Sequence, residues 1–416
     1  MSQERWLRHV IARMPNGKLP AAWSVRELDE VADRGSGHTP SKKVAAYWNG
    51  GVKWLSLRDL QALDRVFIED TSTSVSSQGL ANSSAVLHPP GVVVLSRDAS
   101  VGHSAITTCE MAVSQHFLSW KCGPEVLNLY LYYWFQYMKP EFDRIASGST
   151  IKTIGLPYFR KLKVILPPAS VQRSIAQTLL LWDRALSTLE PLIDAKRSLE
   201  RGLMEELLTG SWRFKEFEGA PWRELVLGEC FEPVERPVDW NDDAVYNLLS
   251  IRRRSGGVFL RSRTQGSEIK TKQMFQVRAG DFLISKMQVV HGALGIVRPD
   301  FDGMHVSGSY IVLQNRRPQE LRTEFFDYLT HLPRMYRQAL LSSYGVHIEK
   351  MTFNLPWYLR SGIRAPSSLG EQDAIVDLLD SLEREIQLLE RLWEALDRQR
   401  RGVAELLLTG KVRVPA

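Results

Sequence analysis

One helix ending is written twice in this chain, at positions 200 residues apart. The segment "RGLMEELLTG" occupies 201–210, "RGVAELLLTG" occupies 401–410, and seven of the ten positions are identical. Such a repeat in a chain of 416 residues predicts two related halves in tandem. Because there are only two copies, we expect a pseudo-twofold protein rather than a solenoid of stacked repeats.

Further matches extend the repeat over most of the chain. At an offset of 199 or 200 residues, the matched pairs are Trp23 with Trp222, Leu28 with Leu227, Glu30 with Glu229, Leu156-Pro157 with Leu355-Pro356, Pro167 with Pro366 and Gln172 with Gln372. Between these positions, β-rich runs precede aromatic-rich segments with helical spacing at 126–146 and 319–341, whose aromatic residues we expect in the core. Each half is therefore expected to be a mixed α/β domain followed by a long helix.

The segment that follows each domain carries apolar residues at steps that alternate between four and three. In the second half these positions are Ile375, Leu379, Leu382, Ile386, Leu389, Trp393, Leu396, Arg400, Val403 and Leu407, with one polar break at Arg400. In the first half they are Ile175, Leu179, Trp182, Leu186, Leu189, Ile193, Lys196, Glu200, Leu203 and Leu207, with polar breaks at Lys196 and Glu200. An average step of about 3.5 residues predicts a coiled coil, with Gly210 and Gly410 as helix ends. Two amphipathic helices in separate cores are the alternative.

Composition and cysteine usage narrow the class of protein. A hydrophobic content of 44% with 24% charged residues is typical of a folded chain. The three cysteines lack a CxxC spacing, which favours a reducing, cytoplasmic compartment over a disulfide framework. We see no apolar run of the roughly 18 residues that a membrane span needs, and the N-terminus lacks the apolar core of a secretion signal.

Motifs for common catalytic chemistries are absent from the sequence. There is no GxxxxGK[ST] phosphate loop, no HExxH, and no GxSxG nucleophile elbow. The nine histidines do not fall at metal-ligand spacing. The sequence therefore predicts no catalytic residue and no metal ligand, and it favours a binding protein, although an active site assembled from scattered residues stays open.

Positive charge is concentrated in the second half. The chain has a net charge of +6, and "IRRRSGGVFLRSRTQG" at 251–266 places five arginines around a Gly-Gly turn. We expect a basic hairpin that contacts phosphate or guanine; a solvated surface loop is the alternative. Each half also has a strand that leads into a basic turn, "GVVVLSR" ending at Arg97 and "GDFLISK" ending at Lys286.

The stretch "GHTPSKKVAAYWNGGVKWLSLRDL" at 37–60 resembles the opening of the target-recognition domain in specificity subunits of Type I restriction–modification systems. The residues that carry this resemblance are Gly37, Thr39, Pro40, Tyr47, Trp48, Trp54 and Leu55, together with the Leu-Pro, Pro and Gln residues before each long helix. Their order and duplication extend the resemblance over nearly the whole chain. The second half reads "FEPVERPVDWNDDAVYNLLSIRRR" instead of this opening, so we expect its domain to be divergent.

The resemblance implies that two target-recognition domains each read one half of a bipartite DNA site, and that two helices pair antiparallel and hold the readers apart. The implied domains are the first reader with an N-terminal helix at 1–156, a central helical region at 157–211, the second reader at 212–355 and a C-terminal helical region at 356–416. The implied partners are double-stranded DNA and two methylation subunits that bind S-adenosylmethionine. Whether two restriction subunits with ATP and Mg also join stays open. No cofactor is expected on this chain.

The candidate DNA-binding residues are cations near these features: Lys42, Lys43, Arg58, Arg97, Lys152, Arg252, Arg253, Arg254, Arg261, Arg263, Lys270, Lys272 and Lys286. The candidate coiled-coil and partner residues are Leu179, Trp182, Leu186, Leu189, Leu379, Leu382, Ile386, Leu389 and Trp393. Two other functions stay open. One is a stand-alone DNA methyltransferase with degenerate motifs, and the other is a coiled-coil scaffold without DNA contact.

Overall fold

A computed structural model describes residues 3–148, 151–348 and 351–413. The chain divides into two compact units. The first unit comprises Met1–Leu192 and Leu389–Ala416, and the second comprises Ile193–Leu388. Each unit therefore contains one globular domain and parts of both long helices.

The first unit is built from short strands around one aromatic-rich helix. Its strands are β1 (Ser24–Glu27), β2 (Ala32–Ser36), β3 (Trp48–Leu55), β4 (Phe67–Ile68), β5 (Ser74–Val75), β6 (Leu87–His88), β7 (Val93–Ser96), β8 (Ser104–Thr107), β9 (Met111–Val113), β10 (Phe117–Cys122) and β11 (Lys163–Leu166). Its helices are α1 (Gln3–Ala12), α2 (Leu28–Val31), α3 (Ser77–Ala81), α4 (Asn128–Ile145) and α5 (Leu156–Arg160), and the long α6 (Ala169–Thr209) begins here.

The second unit follows the same plan. Its strands are β12 (Trp222–Val226), β13 (Phe231–Pro233), β14 (Val245–Ile251), β15 (Val258–Gln265), β16 (Met274–Gln276), β17 (Phe282–Ser285), β18 (Leu294–Ile296), β19 (His305–Ser307), β20 (Tyr310–Asn315), β21 (Ser343–Tyr344), β22 (Thr352–Phe353) and β23 (Gly362–Pro366). Its helices are α7 (Leu227–Cys230), α8 (Thr323–Leu329), α9 (Pro333–Leu341) and α10 (Leu355–Leu359), and the long α11 (Leu369–Leu408) begins here.

The two domains share one strand topology. One sheet has the order β2-β10-β7-β8-β4 in the first unit and β13-β20-β17-β18 in the second. The other sheet has the order β5-β3-β9-β6 in the first unit and β15-β14-β19-β16 in the second. Each unit also has a two-stranded ribbon, which is β1-β11 in the first unit and β12-β23 in the second. The second domain therefore keeps the connectivity of the first although it lacks the opening motif.

The aromatic-rich segments form core helices, as the sequence predicts. Helix α4 buries Tyr130, Trp134 and Phe135 completely, against strands that include fully buried Trp120. The segment predicted as one helix at 319–341 is instead two helices, α8 and α9. Proline at the first position of α9 explains the break, because its ring prevents a continuous helix but suits a helix start.

The long helices pair with each other, as predicted for the coiled coil. In the first unit, Arg400 of α11 lies 3.1 Å from Asp183 of α6. In the second unit, Lys196 of α6 lies 2.8 Å from Glu385 of α11. Two of the polar residues that interrupt the apolar seams, Arg400 and Lys196, thus form ion pairs between the helices. The alternative of two helices in separate cores is therefore wrong. Within the first unit the pairing is antiparallel, because Leu179 of α6 shares a buried cluster with Leu407 of α11, whereas the later Asp183 contacts the earlier Arg400.

Each long helix begins with a buried glutamine that fastens the loop before the aromatic helix. Gln172 donates from Nε2 to the carbonyl oxygens of Glu125 and Pro167, both at 2.9 Å, and accepts from the Leu127 amide at 2.9 Å. Gln372 makes the same three bonds in the second unit, with Glu320, Pro366 and Arg322 as partners. These two glutamines are the pair that the sequence repeat matched, and both are fully buried.

We expect Gln372→Leu to lower the free energy of unfolding by about 2–4 kcal/mol, since it leaves two carbonyls and one amide without partners. Guanidinium titrations followed by tryptophan fluorescence will measure the loss. Gln399→Leu, at an exposed position of the same helix, is the matched control and should change stability by less than about 0.5 kcal/mol. Equal stability of the two variants would contradict the role assigned to Gln372.

Candidate nucleic-acid interface

A basic turn follows the central strand of one sheet in each domain. In the first domain the Arg97 amide donates to the His116 carbonyl at 2.9 Å. In the second domain the Lys286 amide donates to the Ser309 carbonyl at 3.0 Å, and its Nζ donates to the Gly308 carbonyl at 2.7 Å. Gly91 and Gly280, with φ of 87° and 85°, supply the left-handed turn before each strand. Arg97 and Lys286 therefore occupy equivalent places.

The opening motif of the first domain builds a cavity, here called the Trp48 cavity, of about 480 Å³. Its lining residues are Thr39, Lys42, Trp48, Trp54, Ser56, Leu57, Arg58, Thr73, Gln115 and His116. The indoles of Trp48 and Trp54 lie nearly perpendicular with ring centroids 5.1 Å apart. Each indole N–H donates to the motif backbone, at the Ser41 and His38 carbonyls, and this fixes both rings.

The predicted cations of the first domain divide between this cavity and other surface. Lys42 and Arg58 are exposed and line the Trp48 cavity. Lys43 and Lys152 are exposed but are not among its lining residues. Sequence reasoning missed Thr39, Gln115 and His116 as candidate site residues. Only proximity in the fold reveals them, because Gln115 lies 76 residues from Thr39.

The basic segment of the second domain forms the hairpin that the sequence predicts. Strands β14 and β15 pair antiparallel, and the connecting turn contains Gly256 and Gly257. The Arg252 guanidinium lies 4.2 Å from the centroid of the Phe259 ring, a cation–π contact. Arg254 has a φ of 58° and donates its amide to the His291 carbonyl at 2.7 Å. Like these two residues, Arg253 is exposed.

Strand β15 is an outermost strand, and its cations face solvent. Arg261 and Arg263 are exposed, and a β-bulge beside Leu248 and Leu249 leaves Arg261 without an opposite residue. A bulge twists an edge strand and turns its side chains away from regular pairing. Lys270 is also exposed, whereas Lys272 is held at 2.7 Å by the carboxylate of Asp242. We call Arg261, Arg263 and Lys270 the β15 edge.

A polar cavity of about 790 Å³ lies beside the turn of the β14-β15 hairpin, and Arg252, Gly256 and Gly257 are among its lining residues. Its ionisable lining residues are Arg252, Arg298, Asp300, Asp327, His331, Asp380, Glu383 and Arg384. Burial raises the pKa of Asp327 to about 7, although Arg298 and the Ile296 amide oppose this shift. Burial and nearby Arg298 lower the pKa of His331 to about 4. Acidic and basic groups are mixed here, so this cavity is a poor site for a polyanion.

At the place of His331, the first unit has a glutamine in an ion cluster. Gln136 donates to Asp64 at 2.7 Å, and Lys139 and His103 also hold that carboxylate. Burial opposes ionisation of Asp64, but hydrogen bonds from His103, Lys139 and Gln136 outweigh it and lower the pKa. The charged groups of this cluster pair with one another. The cluster therefore stabilises the domain and does not offer an unpaired charge to a ligand.

Within residues 3–148, 151–348 and 351–413, no group of three or more His, Cys, Asp or Glu side chains is placed to hold a metal ion. In the same part of the chain, none of the helices is long and apolar enough to span a bilayer.

Comparison with known proteins agrees with the fold. Residues 20–194 match the family described as the Type I restriction modification DNA specificity domain. The chain is 25% identical over 244 residues to the MjaIX specificity subunit of Methanocaldococcus jannaschii, covering 58% of this chain and 54% of that protein. It is 24% identical over 315 residues to the MjaVIII specificity subunit of the same organism, covering 69% and 71%. The first match thus spans about half of its relative.

Two solved structures share the architecture over 95% of this chain. The S subunit of a Type I system from M. genitalium aligns with a TM-score of 0.59 at 14% identity, over 98% of its own length. A chain from a structure that addresses assembly and conformational transition of a Type I system aligns with a TM-score of 0.55 at 15% identity, over its full length. At these identities the likeness concerns the fold.

Two α/β domains and paired long helices are the architecture that the chain shares with these solved structures. The chain is similar to the specificity subunits of Type I restriction–modification systems, through the family match at residues 20–194 and through these relatives. The resemblance predicted from the sequence and the predicted mixed α/β fold are thereby confirmed.

Proposed function

We propose that this chain reads a bipartite DNA site, with each domain contacting one half-site. The observation that carries this proposal is the duplication of one topology with a separate cationic surface on each copy. In the first domain Lys42 and Arg58 are exposed and Arg97 is half-buried, and in the second the β15 edge and Lys286 are exposed. Phosphate contacts from such cations supply affinity, and neighbouring side chains on the same loops select bases.

The long helices are proposed to hold two methylation subunits. Several leucines on these helices remain largely exposed, at 64% for Leu181 and 63% for Leu388. Apolar side chains outside the seam are available to a protein partner. S-adenosylmethionine would then bind the methylation subunits, and ATP and Mg would bind two restriction subunits if these join. No cofactor is assigned to this chain.

A domain exchange tests whether the two readers act independently. Replacing residues 24–155 with the corresponding segment of another specificity subunit should change one half of the selected DNA sequence and leave the other half unchanged. Selection of bound duplexes from a random library gives the readout. A change in both halves would show that the domains read the site jointly.

The β15 edge is expected to contribute salt-dependent affinity. For Arg261→Ala with Arg263→Ala, the slope of log affinity against log salt should fall by about 1.8, and affinity near 0.1 M salt should drop roughly tenfold to hundredfold. A loss that is uniform across sequences would indicate phosphate contact, and relaxed selectivity would indicate base contact.

The matched control is Arg360→Ala with Arg364→Ala, which removes the same charge from exposed positions of the same unit. It should retain nearly all of the affinity and the original salt slope. If both double variants lose affinity equally, only net charge matters and the β15 edge is not part of the interface.

A stand-alone methyltransferase and a scaffold without DNA contact remain measurable alternatives. Stoichiometric binding of S-adenosylmethionine to the isolated chain would favour the methyltransferase. Absence of duplex binding at low salt would favour the scaffold, because clustered cations on a reader surface produce salt-dependent binding even to random DNA.

A further inference from the structure

One wall of the Trp48 cavity carries a chain of hydrogen bonds that starts at Thr39. The Thr39 hydroxyl is bonded to Gln115 Oε1. Gln115 Nε2 lies 3.3 Å from His116 Nε2, and His116 Nδ1 lies 2.6 Å from Asp98 Oδ1. The Asp98 carboxylate accepts, so His116 donates from Nδ1, and because the Gln115 amide nitrogen can only donate, His116 Nε2 accepts from it. Gln115 Oε1 is left to accept from Thr39.

This chain fixes the orientation of an exposed amide. Gln115 lies in the loop between β9 and β10, and its side chain reaches solvent. After its two internal bonds, the amide keeps one N–H and one lone pair on Oε1. A donor and an acceptor side by side match the N7 acceptor and N6 donor of adenine, the base that glutamine recognises in a bidentate manner. An amide free to rotate would present this pattern only part of the time.

The surroundings of Gln115 suit one nucleotide of a DNA strand. The half-buried indole of Trp48, held nearly perpendicular to buried Trp54, provides a rigid apolar wall on which a base can rest. Lys42 and Arg58 line the same cavity and place two cations where a phosphate would lie. His116 also joins this wall to the predicted basic turn, because its carbonyl accepts from the Arg97 amide.

We propose that Gln115 reads one adenine of the first half-site, with Thr39, His116 and Asp98 as positioning residues. Lys42 and Arg58 hold the phosphate beside this base. The inference rests on the proposed function, since it names a specificity-determining residue within the surface assigned to the first reader.

Selection of duplexes from a random library by the full-length chain tests the inference. Gln115→Glu keeps the shape of the side chain but turns the donor into an acceptor, so preference at one position should move from adenine toward cytosine, whose N4 group donates. Gln115→Ala should relax the same position, with a roughly tenfold to hundredfold loss of discrimination. Preferences at the other positions should stay unchanged.

Substitutions at Thr39 test the positioning role. Thr39→Val removes the hydroxyl at nearly constant shape, and it should relax the position that Gln115 reads while binding to random duplex persists. Thr39→Ser restores the hydroxyl and should restore the preference. A merely structural role for Thr39 would lower affinity for all sequences together.

The outcomes separate this inference from the proposed function. If the wild type selects a bipartite site but the Gln115 variants select the same bases, Gln115 does not read DNA and the inference fails alone. If the wild type selects no sequence, the proposed function fails and the inference with it. A changed preference at one position of one half-site supports both.

Discussion

Replacing Glu371 with alanine is expected to lower the free energy of unfolding of the second unit by about 3–5 kcal/mol. The Glu371 side chain is completely buried, and its two oxygens accept from Arg213 at 2.8 and 2.7 Å. The Trp222 indole N–H also donates to it at 3.3 Å. Removing the carboxylate leaves the Arg213 guanidinium, only 17% exposed, without its counter-ion. An unpaired buried charge is far more costly than the pair is stabilising.

The first unit suggests the control for this ion pair. Val171 precedes Gln172 as Glu371 precedes Gln372, so an apolar side chain is accommodated at the equivalent place. We expect Glu371→Val combined with Arg213→Met to recover most of the stability lost in Glu371→Val alone. Denaturant titrations of the two variants measure the difference. If the double variant is as unstable as the single one, packing around Glu371 matters more than the unpaired charge.

Asp327→Asn is expected to raise the stability of the second unit above pH 7. Burial raises the pKa of Asp327 from its ordinary value of 3.8 to about 7, so the folded state holds a proton that the unfolded state has lost. Stability from this group is present below about pH 4 and falls as the pH rises to about 7. At about 1.4 kcal/mol per pH unit, the loss amounts to roughly 4 kcal/mol at most. Asparagine keeps an oxygen for the Ile296 amide and removes the charge.

The contribution of His331 to stability changes with pH in the opposite direction to that of Asp327, so variants of the two residues can be told apart. Its pKa is lowered from 6.5 to about 4, so the unfolded state binds the extra proton and stability rises with pH between those values. In Asp327→Asn the falling contribution of Asp327 is removed, so stability should rise more steeply with pH from about 4 to about 6.5 than it does in the wild type. In His331→Gln, which copies Gln136 of the first unit, the rising contribution is removed, so the change of stability with pH should shift in the opposite direction. Parallel pH profiles for the wild type and both variants would contradict these assignments.

Local patterns in the sequence were sufficient to predict the helices whose apolar residues recur at a short, regular spacing. The alternation of three and four residues predicted α6 and α11, and the glycines at 210 and 410 predicted their ends, where φ is 75° and 63°. Duplication of the helix ending predicted two related halves. These features depend on residues that are neighbours along the chain, so the sequence alone determines them.

Contacts between distant residues were decided only by the tertiary structure. The sequence marked Arg400 as a break in the apolar seam, and packing of the helices places it against Asp183, 217 residues away. It grouped Lys272 with the candidate DNA-binding cations and gave no sign of a partner, and the fold pairs this lysine with Asp242. No pattern in the sequence marked Gln115 as a site residue, and only the fold places it beside Thr39. Periodicity specifies which face of an element is apolar, whereas the partner of each polar group depends on how the elements pack.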